Sequence, residues 1–254
     1  MQLKDKTIAI TGAARGLGAA MARRLAGRGA HVALIDMDAD ALEAAREQCV
    51  EAGAASARTY TANVVDEAAT EALFESIAQD FGALHGLVNN AGITRDALTI
   101  KHRDGQLVSK MSLEQWQRVL DVNLTGVFLC GREAARRMVD LNCQGCIINI
   151  SSISRGGNMG QINYSATKAG VESMAVVWAK EFARFGIRCA SIAPGFIGTE
   201  MVMNMKPEAL AKLSAMIPAK RLGEPDEIAR TVEFIFENDY FNGRCIEVDG
   251  GLRL

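Results

Sequence analysis

The chain has 254 residues, 49% hydrophobic and 23% charged, with a formal net charge of −2. That is enough apolar material for a sizeable core, and too little positive charge for a nucleic-acid footprint or a polybasic membrane patch. No apolar run reaches bilayer length, Met1-Gln2-Leu3-Lys4 is no apolar leader, and the six cysteines lack disulfide-type spacing, so the chain reads as soluble and cytoplasmic.

Short β-branched runs alternate with helical periods along the chain, which predicts a parallel sheet covered on both faces. A strand over Thr7–Thr11 runs into a glycine-rich turn and a helix over about 17–28. The strand His31–Asp36 precedes a helix from about Asp38 to Gly53, where a left-handed cap fits. A strand over Ser56–Thr61, a helix over 66–81 and a strand over 84–89 follow, ending in Asn89-Asn90-Ala91-Gly92. Residues 98–111 break the rhythm. Asp104-Gly105 between two short polar arms predicts a β-hairpin projecting from the ligand edge of the sheet.

Ser112-Leu113-Glu114-Gln115 reads as a capping box opening one long helix to about Leu141. Cys143-Gln144-Gly145-Cys146 precedes a strand and has no second ligand pair, so a plain loop is favoured over a metal or redox site. That strand covers 146–151, a helix covers 161–185, and a strand over 188–192 stops at Pro194-Gly195. From 196 to 222 the period loosens and methionines gather at 201, 203, 205 and 216. Two short helices of core filler and a flexible substrate lid both fit, and the position after a strand's carboxyl end favours the lid. A last helix opens at Pro225-Asp226, and a strand near 244–248 precedes Asp249-Gly250-Gly251. No repeat or linker divides residues 1–254, which read as one domain.

Two constellations carry chemistry. In Thr11-Gly12-Ala13-Ala14-Arg15-Gly16-Leu17-Gly18 the glycines let the backbone approach a pyrophosphate at a helix N-terminus. Asp36 stands 24 residues after Gly12, at the end of the next strand, where an acid bonds a ribose 2′-hydroxyl and repels a 2′-phosphate. Arg15 points the other way, since it can grip that phosphate, while Met37 stands where a second arginine would help. The balance favours NAD(H), with NADP(H) possible. Second, Tyr164 and Lys168 are one helical turn apart on the same face. An ammonium beside a phenol favours the phenolate and brings a pKa of about 10 toward neutrality. Ser151 and Ser152 lie just upstream, and strand alternation sends them to opposite faces, so that one of them serves the same oxygen.

With these motifs the sequence resembles a short-chain dehydrogenase/reductase over nearly its whole length. The resemblance implies a Rossmann-type doubly wound α/β domain with a seven-stranded parallel sheet. It implies cofactor contacts from Gly12, Arg15, Gly16, Leu17, Gly18, Asp36 and Met37, and near the adenine from Asn63 and Val64. Asn90, Ala91 and Gly92 resemble the sheet-stabilising motif, and Pro194, Gly195, Ile197 and Thr199 the nicotinamide-side loop. Asn123, in Val122-Asn123-Leu124-Thr125-Gly126, resembles the catalytic asparagine that anchors a water, and Tyr164 and Lys168 the catalytic pair, which also touches the cofactor. The family's serine falls on Ser151 by its spacing of 13 from the tyrosine and on Ser152 as second of a Ser-Ser pair. The hairpin is similar to an insertion of about ten residues.

Gly160-Gln161-Ile162-Asn163-Tyr164 and Pro194-Gly195-Phe196 look most like 3-oxoacyl-thioester reductases of fatty acid biosynthesis, acting on acyl carrier protein or coenzyme A. An NAD-dependent secondary-alcohol or polyol dehydrogenase is the alternative, and a non-catalytic dinucleotide sensor a further one. The resemblance also implies a homotetramer built on the two long helices, with the apolar residues Val171, Met174, Val177 and Trp178 recurring all round the second and the C-terminal Leu252-Arg253-Leu254 docking on a neighbour. No metal is expected.

Overall fold

A computed structural model describes residues 1–204 and 206–254; Met205 lies outside the described residues. The strands in chain order are β1 Thr7–Thr11, β2 His31–Asp36, β3 Ser56–Thr61, β4 Gly86–Asn89, β5 Ile100–Arg103, β6 Gln106–Lys110, β7 Gly145–Ile150, β8 Ile187–Pro194 and β9 Cys245–Val248. Seven of them form one sheet in the order β3-β2-β1-β4-β7-β8-β9, and its ladders are all parallel. Every residue of β1, β4 and β7 is buried, as strands covered on both faces require.

The helices are α1 Gly16–Ala26, α2 Ala39–Ala52, α3 Glu67–Phe81, α4 Leu113–Leu120, α5 Gly126–Asp140, α6 Ile162–Glu181, α7 Glu200–Met203, α8 Pro207–Met216 and α9 Pro225–Glu237. On one face of the sheet Met21, Leu42 and Phe236, from α1, α2 and α9, pack over β1 and β2. On the other, Phe74, Met138 and Trp178, from α3, α5 and α6, form the second core. Local chemistry sets several ends. Asp38 accepts from the Ala41 N–H and Asp66 from the Ala69 N–H, while Gly53 and Gly82 close α2 and α3 in left-handed conformation.

The chain first builds outward from β1 to β3, then returns to lay β4 on the other side of β1, Ile8 opposite Gly86. That reversal opens a crevice between the carboxyl ends of β1 and β4, where doubly wound sheets bind ligands.

Two expectations need correction. The helix after Ser112 is not continuous: residues Asp121–Thr125 form one π-helical turn between α4 and α5. The Tyr164 helix stops at Glu181, and Ala183–Phe185 make a separate short turn. The methionines of 196–222 are not core filler where their side chains are described, since Met203 and Met216 are 56% and 62% exposed. The ends of that segment are anchored instead by Ile217, packed with Ile153 and Leu252, and by Phe196 and Leu222. Leu252 is thus buried in its own chain, with Leu254 exposed. The 98–111 hairpin is present as the antiparallel pair β5–β6, both turn residues Asp104 and Gly105 having positive φ. Among the described residues no helix is long and apolar enough to cross a membrane.

Candidate active site

The glycine turn leaves β1 at Thr11. Gly12 has φ +65°, and a Cβ on it would stand 2.9 Å from Ala91 Cα; one on Gly18 would stand 1.9 Å from the Gly12 carbonyl oxygen. Only glycine fits either place. Asn90 clamps the turn: its Nδ2 donates to the Thr11 and Gly12 carbonyls at 3.1 and 3.0 Å. Thr11 Oγ1 in return accepts from the N–H groups of Asn90 and Ala91. Helix α1 starts at Gly16 with no side chain capping it and no acid in its first turn, so its free N–H groups and its dipole favour an anion.

These groups open onto a cleft of about 620 Å³. Arg15, Leu17, Asp36, Asn90, Thr199 and the unforeseen Asn204 line it, together with Gly12, Gly16, Ala91 and Gly92. A carboxylate oxygen of Asp36 accepts from the Ala14 N–H at 3.2 Å and the other from the Met37 N–H at 2.7 Å, which fixes the acid at the rim. Arg15 lines the cleft and is ion-paired there with Asp38. The cleft, the close backbone approach and the uncapped helix fit a pyrophosphate-bearing dinucleotide.

Gly18, Met37, Asn63, Val64, Tyr164, Lys168, Pro194, Gly195 and Ile197 are not in that wall. Met37 is 68% exposed, Asn63 Oδ1 accepts from the Val65 N–H, and Val64 and Ile197 are buried. Asp38, Glu200 and Asn204 stand in the wall instead. Asp38 is visible in sequence only as a helix cap. Glu200 and Asn204 lie in the aperiodic segment and give no signal.

Next to the cleft, β4, β7 and α6 are tied by a run of amides. Asn89 Nδ2 donates to Asn149 Oδ1, and Asn149 Nδ2 donates to the Val171 carbonyl, both at 2.9 Å. This holds the first half of α6 over the end of β7. Lys168 Nζ donates to the Ile150 carbonyl at 2.7 Å and lies 5.5 Å from the centre of the Tyr164 ring. Burial brings this amine down to about 8.

The Tyr164 phenol moves in the direction opposite to the sequence expectation. Burial pushes it above its ordinary value and the nearby Asp96 carboxylate adds to that, while the neighbouring Ser152 hydroxyl works against both. The ammonium of Lys168 is spent on a carbonyl rather than on the phenol oxygen, so the expected lowering is absent.

The two serines part as strand alternation requires. Ser151 is buried and its Oγ donates to the Lys168 carbonyl at 2.7 Å. Ser152 faces Tyr164; its Oγ accepts from the Ser154 N–H at 3.1 Å, which leaves its own proton to donate toward the phenol or a reacting oxygen. Asn123 sits fully buried in the π turn. Its Oδ1 accepts from the Ile93 N–H at 2.8 Å and its Nδ2 donates to the Ile93 carbonyl at 2.9 Å. A Cβ on Gly92 would lie 3.4 Å from Asn123 Oδ1 and 3.6 Å from Lys168 Nζ, so these groups converge on the loop that closes the cleft. The arrangement can hold an oxygen between a hydroxyl and a phenol, with a near-neutral amine behind them.

The cysteines play no part here. Cys146 of the C-x-x-C is buried and its thiol is pushed up to about 11, away from a reactive thiolate.

Comparisons with known proteins agree in kind. A family model described as enoyl-(acyl carrier protein) reductase matches residues 12–253. A (3R)-3-hydroxyacyl-CoA dehydrogenase of Canis lupus familiaris is 39% identical, over 99% of this chain and 98% of the relative. The 3-oxoacyl-[acyl-carrier-protein] reductase FabG of Thermotoga maritima is 37% identical over 99% of both. An acetoacetyl-CoA reductase of Synechocystis sp. is 38% identical over 98% and 96%.

Proposed function

This chain belongs to the short-chain dehydrogenase/reductase family, whose members are NAD(P)(H)-dependent oxidoreductases, and we propose that it reduces a 3-oxoacyl thioester to the 3-hydroxyacyl thioester. The observation that carries the reading is the meeting of Ser152, Tyr164 and Lys168 next to the cleft that opens at the glycine turn. The names of relatives at 37–39% identity give the substrate class: each acts on a 3-oxo- or 3-hydroxyacyl thioester or is named for the reverse reaction.

The glycine turn, Asp36 and Thr199 line the cleft and would hold a dinucleotide, which when bound would supply the hydride for the carbonyl carbon. The chain supplies the rest. Ser152 donates a hydrogen bond to the carbonyl oxygen, and Tyr164 gives that oxygen its proton. A phenol raised by burial stays protonated at neutral pH, which suits a donor in the direction of reduction. Lys168, near neutrality at about 8, is next in line to restore the proton. Asn123 has both ends of its amide on Ile93, so its side chain positions the loop beside Lys168. Ser151 holds the Lys168 backbone and takes no part in chemistry.

NADH is the preferred cofactor in this reading, because Asp36 is fixed at the rim and Arg15 is ion-paired with Asp38. The same preference favours a second reading, an NAD-dependent secondary-alcohol or polyol dehydrogenase. The protein works in the cytoplasm as one domain per chain. It forms a homotetramer through the outer faces of α5 and α6, where Phe128, Val139 and Val177 are at least 40% exposed.

A steady-state panel of 3-oxoacyl thioesters, plain ketones and polyols, run with both cofactors, tests the proposal. Thioesters are expected to turn over best, with NADH. Turnover of polyols alone selects the second reading, and no turnover with any substrate selects a dinucleotide sensor.

A further inference from the structure

The β5–β6 ribbon is the part of the molecule that neither the fold nor the chemistry uses. All nine of its strand residues are exposed, so it contributes nothing to the core. Its roots, however, are bound to the start of the Tyr164 helix. The Ala97 N–H donates to the Gly160 carbonyl at 2.9 Å, and Gln161 Nε2 donates to Asp96 at 2.9 Å. Asn163, buried next to Tyr164, donates from one Nδ2 to the carbonyls of Arg95 and Gln115, one on each side of the ribbon. The ribbon therefore rises from the rim of the proton-transfer site.

Its surface is basic and apolar together. Lys101, Arg103 and Lys110 stand against Asp104 alone, on a chain whose net charge is −2. Among the described residues none of the three cations is ion-paired. On the same ribbon Ile100, Leu107 and Val108 are 63%, 53% and 55% exposed, Ile100 paired with Lys110 across the ladder. Edge strands carry such cations to discourage pairing with a like copy, since a second ribbon would bring the same charge. A small phosphorylated ligand needs a concave site, whereas this surface projects and is exposed throughout. What matches a protruding basic surface with apolar patches is a macromolecule of opposite charge.

We propose that the ribbon is the docking surface for an acidic carrier protein that delivers the thioester to Tyr164, with Lys101, Arg103 and Lys110 meeting its carboxylates. This rests on the thioester reading above and names its partner. Rim charges of this kind act on encounter and on KM, and their effect is screened by salt.

The test compares one acyl group on three carriers: an acidic acyl carrier protein, coenzyme A and N-acetylcysteamine. The variant is K101E/R103E/K110E, whose positions are exposed and outside the core and the catalytic groups. The expected result is a rise of roughly tenfold or more in KM for the carrier-protein substrate at low salt, shrinking at high salt, with kcat retained. Values of kcat/KM for the N-acetylcysteamine thioester should stay within about twofold. Titration of the carrier protein against wild type and variant should show the same loss of affinity. An equal loss on all three carriers, or a loss confined to the carrier protein and coenzyme A alike, overturns the proposal, as does no loss on any. Absence of turnover with the N-acetylcysteamine thioester in the wild type would instead remove the function, and the docking with it.

Discussion

The end of β7 and the β5–β6 ribbon are made in opposite ways. At the end of β7 nearly every polar group has a partner inside the protein: Asn149 on Val171, Ser151 on Lys168, Lys168 on Ile150. The ribbon meets solvent along its whole length and is held only at its roots. Proton transfer needs groups fixed to within fractions of an ångström, and buried hydrogen-bonded networks supply that. Recognition of a large partner needs charge and access, and an exposed ribbon supplies those. One region therefore tolerates almost no change in shape, and the other almost any that keeps its charge.

The largest expected effect lies in the fixed region. Lys168 has a folded-state pKa of about 8 against an ordinary 10.5, so between those values the unfolded chain holds a proton that the folded one has released, while below about pH 8 both hold it. Its burial as an ammonium therefore costs stability, fully below about pH 8, and the cost fades as pH rises to 10.5. Between those limits the wild type should gain about 3 kcal/mol relative to Lys168→Met, at about 1.4 kcal/mol per pH unit. Denaturant melts of both proteins at several pH values measure it, and parallel stability curves would remove the buried charge.

The serines sharpen the comparison within a single dipeptide. Ser152→Ala should lower kcat roughly 100-fold and leave stability nearly unchanged. Ser151→Ala should leave kcat within a few-fold and cost about 1 kcal/mol of stability through its lost bond to Lys168. Equal kinetic losses would undo the separation of roles. At the cleft rim Asp36→Ala should shift the ratio of kcat/KM values toward the phosphorylated cofactor by about tenfold, read from paired assays with NADH and NADPH. The smallest effect belongs to the ribbon. Replacing residues 100–110 by an Asn-Gly turn should change unfolding free energy by no more than about 0.5 kcal/mol, because the Thr99 carbonyl already accepts from the Met111 N–H at 3.2 Å. A larger loss would mean that the ribbon belongs to the folded core.

How much of this was visible beforehand follows the same division. Strands β1, β2 and β3 and the caps at Asp38, Gly53, Asp66 and Gly82 rest on local chemistry, and the sequence displays it. The glycine turn, Asp36 and the Tyr164–Lys168 spacing are local too. The π turn at Asn123 is not, because helix-forming residues run through 113–141 and the extra residue is set by the bond to Ile93, some 30 positions away. Nor was the direction of the Tyr164 shift, which depends on burial and on where the Lys168 ammonium points rather than on spacing. Glu200 and Asn204 reach the cleft from a segment without period, where no pattern assigns a face. The choice between Ser151 and Ser152 needed the register of β7 against β8 and the path of the loop beyond it.

The measurement that bears most directly on the central claim is reduction of a 3-oxoacyl N-acetylcysteamine thioester by wild type and Tyr164→Phe, with NADH affinity determined by titration on both. Removing one hydroxyl should lower kcat by about 10³-fold or more and leave NADH affinity within about twofold. A variant that keeps its turnover would show that the proton comes from elsewhere, and the account of this site would fail.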